Sequence, residues 1–326
     1  MTARRRAVFF GSGAFAVTIL DALEGAASVE VVTVVSAPAR PVGRGGAVTP
    51  TPVQRRAETL GLPTLTPERL RRPEAIEAVA RLAPELLVLA DYGQLVPPAI
   101  LALPVAGALN LHPSLLPRHR GASPIPATIL EGDRETGVSL MLMDAGLDSG
   151  PLVAQRRLLL DGTETAPDLE RRLSEAAADL LRTSIDAFLA GALPAVPQSA
   201  EGATLTRPLR RDDGRLDPSS SVVHLERMVR AYQPWPGCWF DSPFGRIVVW
   251  AAQAIPVAGP MTAPGGSVGS AGTIAADGDG LAIEVTDGRL RLLELQLAGG
   301  RRLPAADLRH GRPGLVGSRV AGPSLG

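Results

Sequence analysis

The first half of the chain alternates short apolar runs with segments of helical periodicity. Apolar runs at residues 7–10, 29–35 and 86–90 predict strands, because each is too short for a typical helix and is followed by turn-forming residues. The second run is rich in valine and nearly unbroken by polar side chains, which is typical of a strand covered on both faces. Further strands are predicted at 107–111 and 137–143. This alternation predicts an α/β domain with a Rossmann-like, mostly parallel sheet.

A long amphipathic helix is predicted to close this domain. Thr165 and Asp168 have the spacing of a capping box, apolar residues then recur on one helical face, and Gly191 stands near the end of the pattern. The next stretch is rich in Pro, Ala and small polar residues, which indicates a linker. The predicted domains are 1–191 and 207–326, with the linker at 192–206 between them.

The pattern changes in the last third of the chain. One short helix is predicted from the spacing of Leu225, Met228 and Val229. Beyond it, short strands at 247–252 and 281–285 are separated by glycine-rich turns. We therefore predict a small OB-like β-barrel as the second domain, and barrels of this type often bind nucleic acid.

The composition supports two domains and excludes the catalytic and phosphate-binding roles of lysine. The chain has 326 residues, 45% of them hydrophobic, which is enough for more than one core. All 33 basic residues are arginine, so no lysine is present to act as a nucleophile, Schiff base or P-loop ligand. Residues 1–206 carry 19 Arg and 22 acids (19 − 22 = −3), whereas residues 207–326 carry 14 Arg and 11 acids (14 − 11 = +3). The basic second domain permits contact with RNA, although an ordinary solvated surface would have the same charge.

The single cysteine and the amino-terminal sequence bear on the compartment. Cys238 has no second cysteine with which to form an internal disulfide or a cysteine-based zinc site, which suits a reducing cytosol. Only four apolar residues, 7–10, stand between the arginines at 4–6 and Gly11, too few for a signal peptide or a membrane span. We therefore expect a cytoplasmic protein that does not associate with membranes.

A glycine-rich loop follows the first predicted strand. Residues 10–16 read Phe-Gly-Ser-Gly-Ala-Phe-Ala and fit G-x-G-x-x-A, a loosened dinucleotide-binding fingerprint, so an NAD-linked oxidoreductase is one alternative. The second strand, however, ends at Ser36, Ala37 and Pro38, where an NAD site usually carries an acid for the ribose. Glycines that simply allow a tight strand-to-helix turn explain the loop equally well.

Polar side chains that could take part in catalysis lie at two predicted strand ends. Asn110 and His112 are two residues apart at the end of a strand, so their side chains leave the same face. An amide and an imidazole placed together could donate to a carbonyl oxygen as it becomes an oxyanion. Downstream, a glycine-rich loop carries Asp144 and Asp148. We expect a loop acid beside His112 to orient the imidazole and to favour its protonated form.

The motifs around these residues resemble those of the folate-dependent formyltransferases. The matching segments are Asn-x-His-Pro-Ser-Leu-Leu-Pro at 110–117, Arg-x-Arg-Gly at 118–121 and Leu-Asp-Ser-Gly-Pro at 147–151. The resemblance implies a catalytic trio of Asn110, His112 and Asp148. The residues that it implies for the folate site are Tyr92, Gly93, Ser114, Leu115, Leu116 and Pro117.

The wider order of motifs resembles that of the methionyl-tRNA formyltransferases within this family. Arg-Pro-Val-Gly-Arg-Gly-Gly at 40–46 and Arg-Ala-Tyr-Gln-Pro-Trp-Pro-Gly at 230–237 carry the likeness. It implies transfer of the formyl group of 10-formyltetrahydrofolate to the α-amine of initiator methionyl-tRNA, without a metal. Arg40 and Arg44 would contact the tRNA. The family's lysines after Gly-Arg-Gly are replaced here by Gly46 and Ala47, so these two arginines are the only cations of the loop.

Three alternatives of different classes stay open at this point. They are an NAD-linked oxidoreductase, a formyltransferase acting on another amine such as a nucleotide sugar, and a non-catalytic RNA-binding protein with a relict enzyme domain. The absence of an acid after the second strand opposes the first alternative, and the intact trio opposes the third. Nothing in the sequence demands an oligomer, so we expect a monomer.

Overall fold

The computed structural model describes residues 4–42, 46–257 and 271–320 and divides into two compact units. Both units are assembled from separate stretches of the chain. The first consists of Met1–Pro124, Glu135–Leu159 and Leu169–Arg207, and the second of Ile125–Arg134, Leu160–Asp168 and Pro208–Gly326. The single boundary region predicted from the sequence, with a linker at 192–206, stays a prediction.

The first two thirds of the chain contain eleven of the strands and six of the helices assigned among the described residues. In chain order they are β1 (Arg5–Gly11), α1 (Phe15–Glu24), β2 (Val29–Val35), β3 (Arg40–Val42), β4 (Ala47–Thr49), α2 (Pro52–Thr59), β5 (Thr64–Leu65), α3 (Pro73–Ala80), β6 (Leu86–Ala90), α4 (Pro98–Leu101), β7 (Ala108–His112), β8 (Arg120–Gly121), α5 (Pro124–Glu131), β9 (Glu135–Leu142), β10 (Leu152–Leu159), α6 (Ala166–Leu189) and β11 (Leu205–Thr206).

A seven-stranded sheet in the order β10-β9-β7-β6-β1-β2-β5 forms the centre of the first unit. The five strands from β7 to β5 run parallel, whereas β9 and β10 are antiparallel additions at one edge. The prediction of a Rossmann-like, mostly parallel sheet is therefore confirmed. Strand order reverses between β1 and β6, and open α/β sheets bind ligands at the carboxyl ends of strands beside such a reversal.

Burial explains why the predicted strands form. Phe9, Phe10, Leu87 and Val88 are fully buried, and burial of each such side chain stabilises the fold by roughly 1.5–3 kcal/mol. The predicted bounds of β2 and β6 match the structure, while β7 and β9 are offset by one or two residues. The predicted capping residue Thr165 precedes α6, and its Oγ1 lies 3.4 Å from the backbone N of Asp168.

Residues 192–206, which we call the strap, are bound to the first unit. Their last two residues form β11, which pairs in parallel with β8. Val196 forms an antiparallel bridge with Leu152 at the start of β10. Backbone N of Arg120 donates to the carbonyl oxygen of Thr204 at 3.0 Å. The strap therefore runs along the segment that follows β7.

The second unit is built on an antiparallel sheet in the order β12-β13-β16-β15-β14, with β17 paired to β16. The Oγ of Ser221 caps the helix at Val222–Ala231 by accepting from the backbone N of His224 at 3.2 Å. This sheet agrees with the predicted carboxyl-terminal β domain. No helix within the described residues has the length and apolarity needed to cross a membrane. The elements are α7 (Val222–Ala231), β12 (Cys238–Ser242), β13 (Gly245–Pro256), β14 (Ile274–Asp277), β15 (Gly280–Val285), β16 (Gly288–Leu297), β17 (Arg302–Pro304) and α8 (Ala305–Gly311).

Candidate active site

Asn110 and His112 lie at the carboxyl end of β7, as the strand pattern predicted. Because they are two residues apart, both side chains point to the same face of the sheet. Asp148 comes from the connection between β9 and β10. Its Oδ1 lies 3.4 Å from Nδ2 of Asn110, and its Oδ2 lies 3.7 Å from Nδ1 of His112. The structure thus brings together the three side chains that the sequence singled out.

The conformation of Asp148 is unusual for a residue with a side chain. Its φ is +50°, in the left-handed region that L-residues other than Asn and Asp seldom adopt. Backbone N of Gly121 donates to Oδ2 at 2.8 Å. The carboxylate therefore accepts a backbone hydrogen bond on one oxygen and faces Asn110 with the other.

The hydrogen bonds of His112 define its tautomer. Nε2 lies 2.9 Å from the carbonyl oxygen of His119, and a carbonyl only accepts, so Nε2 carries the proton. In the neutral ring Nδ1 then has a free lone pair on the side of Asp148. At 3.7 Å the Nδ1 to Oδ2 distance is too long for a hydrogen bond.

The electrostatic setting of His112 differs from our expectation. The side chain is 6% exposed, and burial lowers the pKa of His112 below its usual value of 6.5 because the charged ring loses water. The Asp148 carboxylate opposes this by raising the pKa, but the net direction is downward. The expectation that Asp148 favours the protonated ring is confirmed in direction, but burial, which sequence reasoning omitted, outweighs the carboxylate and leaves the net shift downward.

Gly121 contacts the Asp148 carboxylate, and sequence reasoning did not single it out. Its φ is +101°, and a Cβ at this position would lie 2.2 Å from the carbonyl oxygen of Thr206 in the strap. Only glycine allows β8 to pair this closely with β11 while its N–H points at Asp148. The Arg-x-Arg-Gly motif at 118–121 contains Gly121, but the motif did not indicate that its backbone N–H contacts Asp148.

The residues predicted for the folate site fall on two neighbouring loops. Tyr92 and Gly93 follow β6, and Ser114–Pro117 follow β7, which is parallel to β6 and adjacent to it. Ser114 and Leu116 are buried, and Leu115 is half-buried against Gly137. The Tyr92 ring lies edge-on to Phe10 with the centroids 5.4 Å apart. Burial raises the pKa of Tyr92 to about 12, so its hydroxyl stays protonated.

Two polar side chains shape the loop that contains Ser114–Pro117. The Oγ of Ser139, on β9, donates to the carbonyl oxygen of Ser114 at 2.7 Å and accepts from the backbone N of Leu116 at 3.0 Å. Nε2 of Gln155 donates to the carbonyl oxygen of Leu116 and to Oγ of Ser139 at 2.9 and 2.8 Å. Neither residue was a sequence candidate, because the loop they support lies far away in the chain.

Asp144, the second carboxylate of the glycine-rich loop, contributes to the shape of that loop. Its Oδ1 accepts from the backbone N of Gly146 at 2.9 Å and from Oγ of Ser149 at 3.1 Å. Asp144 is therefore not part of the cluster formed by Asn110, His112 and Asp148.

Of the two arginines predicted to contact tRNA, Arg40 belongs to the hairpin of β3 and β4. Arg40 is exposed and pairs with Thr49 in the register of that hairpin. Arg44 lies outside the described residues. The contribution of both side chains to tRNA binding stays a prediction.

The glycine-rich turn after β1 is adjacent to acidic side chains. A Cβ on Gly13 would lie 1.6 Å from Oδ2 of Asp91, so this carboxylate covers the turn. Backbone N of Phe15, in the first turn of α1, donates to the carboxylate of Glu170. A dinucleotide's pyrophosphate needs free backbone N–H groups and room at this helix end, and the Asp91 side chain takes that room. The turn thus disfavours an NAD site.

Comparison with known proteins gives the same family for both parts of the chain. The family described as "Formyl transferase" matches residues 4–185, and "Formyl transferase, C-terminal domain" matches residues 208–313. The methionyl-tRNA formyltransferase of Roseiflexus sp. (strain RS-1) is 44% identical over 309 residues, covering 94% of this chain and 92% of that protein. The methionyl-tRNA formyltransferase of Roseiflexus castenholzii (strain DSM 13941 / HLO8) is 42% identical over 320 residues, covering 97% and 99%.

Solved structures share the fold at much lower identity. HypX from Aquifex aeolicus, solved in complex with tetrahydrofolic acid, has a TM-score of 0.59 and 15% identity, covering 94% of this chain and 47% of that one. At this identity the likeness concerns the fold alone. The sequence relatives decide the family, since they cover nearly the whole chain. The chain belongs to the methionyl-tRNA formyltransferase family of formyl-transferring enzymes.

Proposed function

We propose that this protein transfers the formyl group of 10-formyltetrahydrofolate to the free α-amine of initiator methionyl-tRNA, giving N-formylmethionyl-tRNA. The observation that carries the proposal is the convergence of Asn110, His112 and Asp148 at the end of β7. Relatives at 42–44% identity that are named methionyl-tRNA formyltransferases support this choice of acceptor.

The residues after β6 and β7 suit a folate donor. The buried hydroxyl of Tyr92 has no hydrogen-bond partner among the described residues, and a protonated phenol left in this way favours a ligand that can accept from it. Gly93 is exposed, and a Cβ there would meet nothing within 4 Å, which leaves room beside the tyrosine. Bound here, the donor would supply an activated formyl group. Ser114 and Leu116 are buried and would act through the shape of their loop, whereas Leu115 and Pro117 are half-buried beside it.

In the proposed reaction Asn110 stabilises the charge that develops on the formyl oxygen. One N–H of its amide faces Asp148, and the second is available to donate to the oxygen. One such donor contributes about 3–4 kcal/mol of transition-state stabilisation. Because an amide donor can meet this charge, the proposal requires neither a metal ion nor a covalent enzyme intermediate.

His112 takes the proton that the attacking amine loses. As the tetrahedral centre collapses, the bond between the formyl carbon and N10 of the folate breaks, and the imidazolium passes this proton to N10 so that tetrahydrofolate leaves. Its neutral ring is held by the His119 carbonyl at Nε2, which leaves the Nδ1 lone pair as the acceptor. Once protonated, Nδ1 faces the carboxylate of Asp148, which stabilises the imidazolium. General base catalysis of this kind contributes roughly 10²- to 10⁴-fold.

Selection of the tRNA must come from residues outside the trio. We propose that Arg40, in β3, and Arg44 contact the phosphate backbone, and that the basic carboxyl-terminal domain adds further phosphate contacts. Such contacts make binding dependent on salt. We further propose that the protein acts as a monomer in the cytoplasm, where charged tRNA is used.

The test of the proposal is a formyl-transfer assay with competing acceptors. Purified protein is incubated with 10-formyltetrahydrofolate labelled in the formyl group, and with either methionyl-tRNA or an amino-sugar nucleotide. We expect label in methionyl-tRNA and none in the sugar. Label only in the sugar nucleotide would support the alternative formyltransferase, and no label with either acceptor would contradict the proposal.

A further inference from the structure

The strap carries one side chain that reaches the loop of Asp148. Nε2 of Gln198 donates to the carbonyl oxygen of Asp148 at 2.8 Å and to that of Gly150 at 2.7 Å. Both contacts join residues about 50 positions apart in the chain. Gln198 is half-buried, and its two amide N–H groups account for both donations.

The other end of the same amide binds Arg120. Oε1 of Gln198 accepts from Nε of Arg120 at 3.0 Å and from Nη2 at 2.7 Å. A guanidinium only donates and a carbonyl only accepts, so the orientation of the amide is defined by its partners. Arg120 immediately precedes Gly121, whose N–H donates to the Asp148 carboxylate. Gln198 and Gly121 therefore hold the backbone and the side chain of the same aspartate.

Asp148 needs such support because of its backbone conformation. Left-handed φ values are unfavourable for a residue with a side chain, even though Asp tolerates them better than most, and surrounding contacts must maintain them. Its carboxylate is only marginally placed for direct hydrogen bonds, at 3.4 Å from Asn110 and 3.7 Å from His112. A small displacement of the loop would therefore separate the carboxylate from both groups.

We propose that Gln198 is a positioning residue that keeps Asp148 in register with Asn110 and His112, and that the strap is thereby a part of the catalytic apparatus. This inference rests on the proposed function. Gln198 does not contact the reacting atoms in this account. Its effect is on the rate of the chemical step, because it acts on the placement of the acid and not on the folate or tRNA contacts.

The test compares steady-state formylation kinetics of the parent with Gln198→Leu, which removes the hydrogen bonds to Arg120, Asp148 and Gly150 at similar size. We expect kcat to fall roughly 10- to 100-fold, as misplacement of a catalytic group does, while KM for 10-formyltetrahydrofolate and for methionyl-tRNA stays within about threefold. Gln198→Glu is the second variant, because it keeps an acceptor for Arg120 but turns an oxygen toward the two carbonyls. We expect the kcat of Gln198→Glu to fall by the same roughly 10- to 100-fold, so this variant tests the inference even if the leucine variant does not fold.

Gln233→Leu is the matched control. Nε2 of Gln233 also donates to two carbonyl oxygens, those of Val229 and Trp250, but within the second unit. Its loss should lower the melting temperature without changing kcat.

A double-mutant cycle separates positioning from general destabilisation. If Gln198 acts through Asp148, Gln198→Leu should change kcat little in a protein that already carries Asp148→Asn. The inference would be overturned if the losses in kcat from Gln198→Leu and Asp148→Asn multiplied in the double variant. It would also be overturned if the kcat of Gln198→Leu stayed within twofold of the parent, or if Gln233→Leu lowered kcat equally. If the parent had no transfer activity, both the proposed function and this inference would fail. If the parent were active and Gln198→Leu had the same kcat, only this inference would fail.

Discussion

Nδ1 of His112 lies 3.7 Å from Oδ2 of Asp148, while Nε2 of the same ring is held by the carbonyl oxygen of His119. This pair gives the imidazole one protonated nitrogen in a fixed contact and one lone pair facing an acid. Burial lowers the pKa of His112, so the ring is neutral before the reaction and can accept a proton. The Asp148 carboxylate raises the pKa and therefore stabilises the imidazolium once it forms.

The first prediction concerns the protonation of His112. Because burial lowers its pKa, the ring should titrate below 6.5 and stay neutral, with the proton on Nε2, at pH 7. Nitrogen-15 NMR of histidine-labelled protein measures both properties, and His112→Asn assigns the signal among the four histidines. Asp148→Asn should lower the pKa further, since the carboxylate raises it. A midpoint above 6.5, or a proton on Nδ1, would remove the role assigned to His112.

Asp148→Asn should lower kcat by roughly 100-fold, the lower end of what acid–base groups contribute. The variant keeps an oxygen for the N–H of Gly121 but removes the charge that stabilises the His112 imidazolium. Binding of 10-formyltetrahydrofolate, measured by calorimetry, should be nearly unchanged. The conservative control Asp144→Asn alters a carboxylate of the same loop outside the cluster and should retain most activity. Turnover near that of the parent for Asp148→Asn would show that the charge is not used.

Gly121→Ala should destabilise the first unit by about 3 kcal/mol, because strain at φ +101° adds to a clash with the carbonyl oxygen of Thr206. Gly61→Ala is the control within the same unit. Its φ is +69°, and a Cβ there would meet nothing within 4 Å, so it should cost only about 1 kcal/mol. Urea unfolding of both variants gives the difference. Equal losses in the free energy of unfolding would mean that the close pairing of β8 and β11 adds nothing to stability.

Ser139→Ala should raise KM for 10-formyltetrahydrofolate several-fold and leave KM for methionyl-tRNA unchanged. The substitution leaves the backbone N of Leu116 without its acceptor, and the loop carrying the predicted folate residues should shift. The lost hydrogen bonds should also cost about 2 kcal/mol of stability. Ser174→Ala removes another buried hydroxyl, which donates to the carbonyl oxygen of Phe15 at 2.8 Å, and should affect stability only. A folate KM equal in both variants would separate Ser139 from folate binding.

Arg40→Ala and Arg44→Ala should each raise KM for methionyl-tRNA and reduce the slope of log KM against log salt by about one, the value for one lost phosphate contact. KM for the folate should not change. Arg71→Ala replaces an exposed arginine outside the hairpin and serves as the control. If all three variants had the same tRNA kinetics as the parent, Arg40 and Arg44 would be ordinary solvated cations.

The sheet and the trio could be predicted because their signals are local. The β-branched run of β2 and the apolar run of β6 mark buried strands by composition alone. Asn110 and His112 share a face because of strand geometry, and the resemblance to a known family added Asp148. The strands and the shared face need only residues that are near one another in the chain, whereas Asp148, 38 positions from Asn110, needed the resemblance.

The supporting contacts could not be predicted because they depend on tertiary geometry. Residues 192–206 have no periodicity, so composition indicated a linker, yet Gln198 and Thr204 from this strap contact the segment of Arg120 and the loop of Asp148. The direction of the His112 pKa was also out of reach. It depends on how completely the ring is buried, which charge patterns along a sequence do not reveal.

The most direct measurement is the initial rate of formylmethionyl-tRNA formation by the purified protein from 10-formyltetrahydrofolate and methionyl-tRNA, alongside Asn110→Ala. We expect rapid transfer by the parent and a rate roughly 10²- to 10³-fold lower for the variant, the usual cost of losing one oxyanion donor. An inactive parent, or an Asn110→Ala variant as fast as the parent, would contradict this expectation.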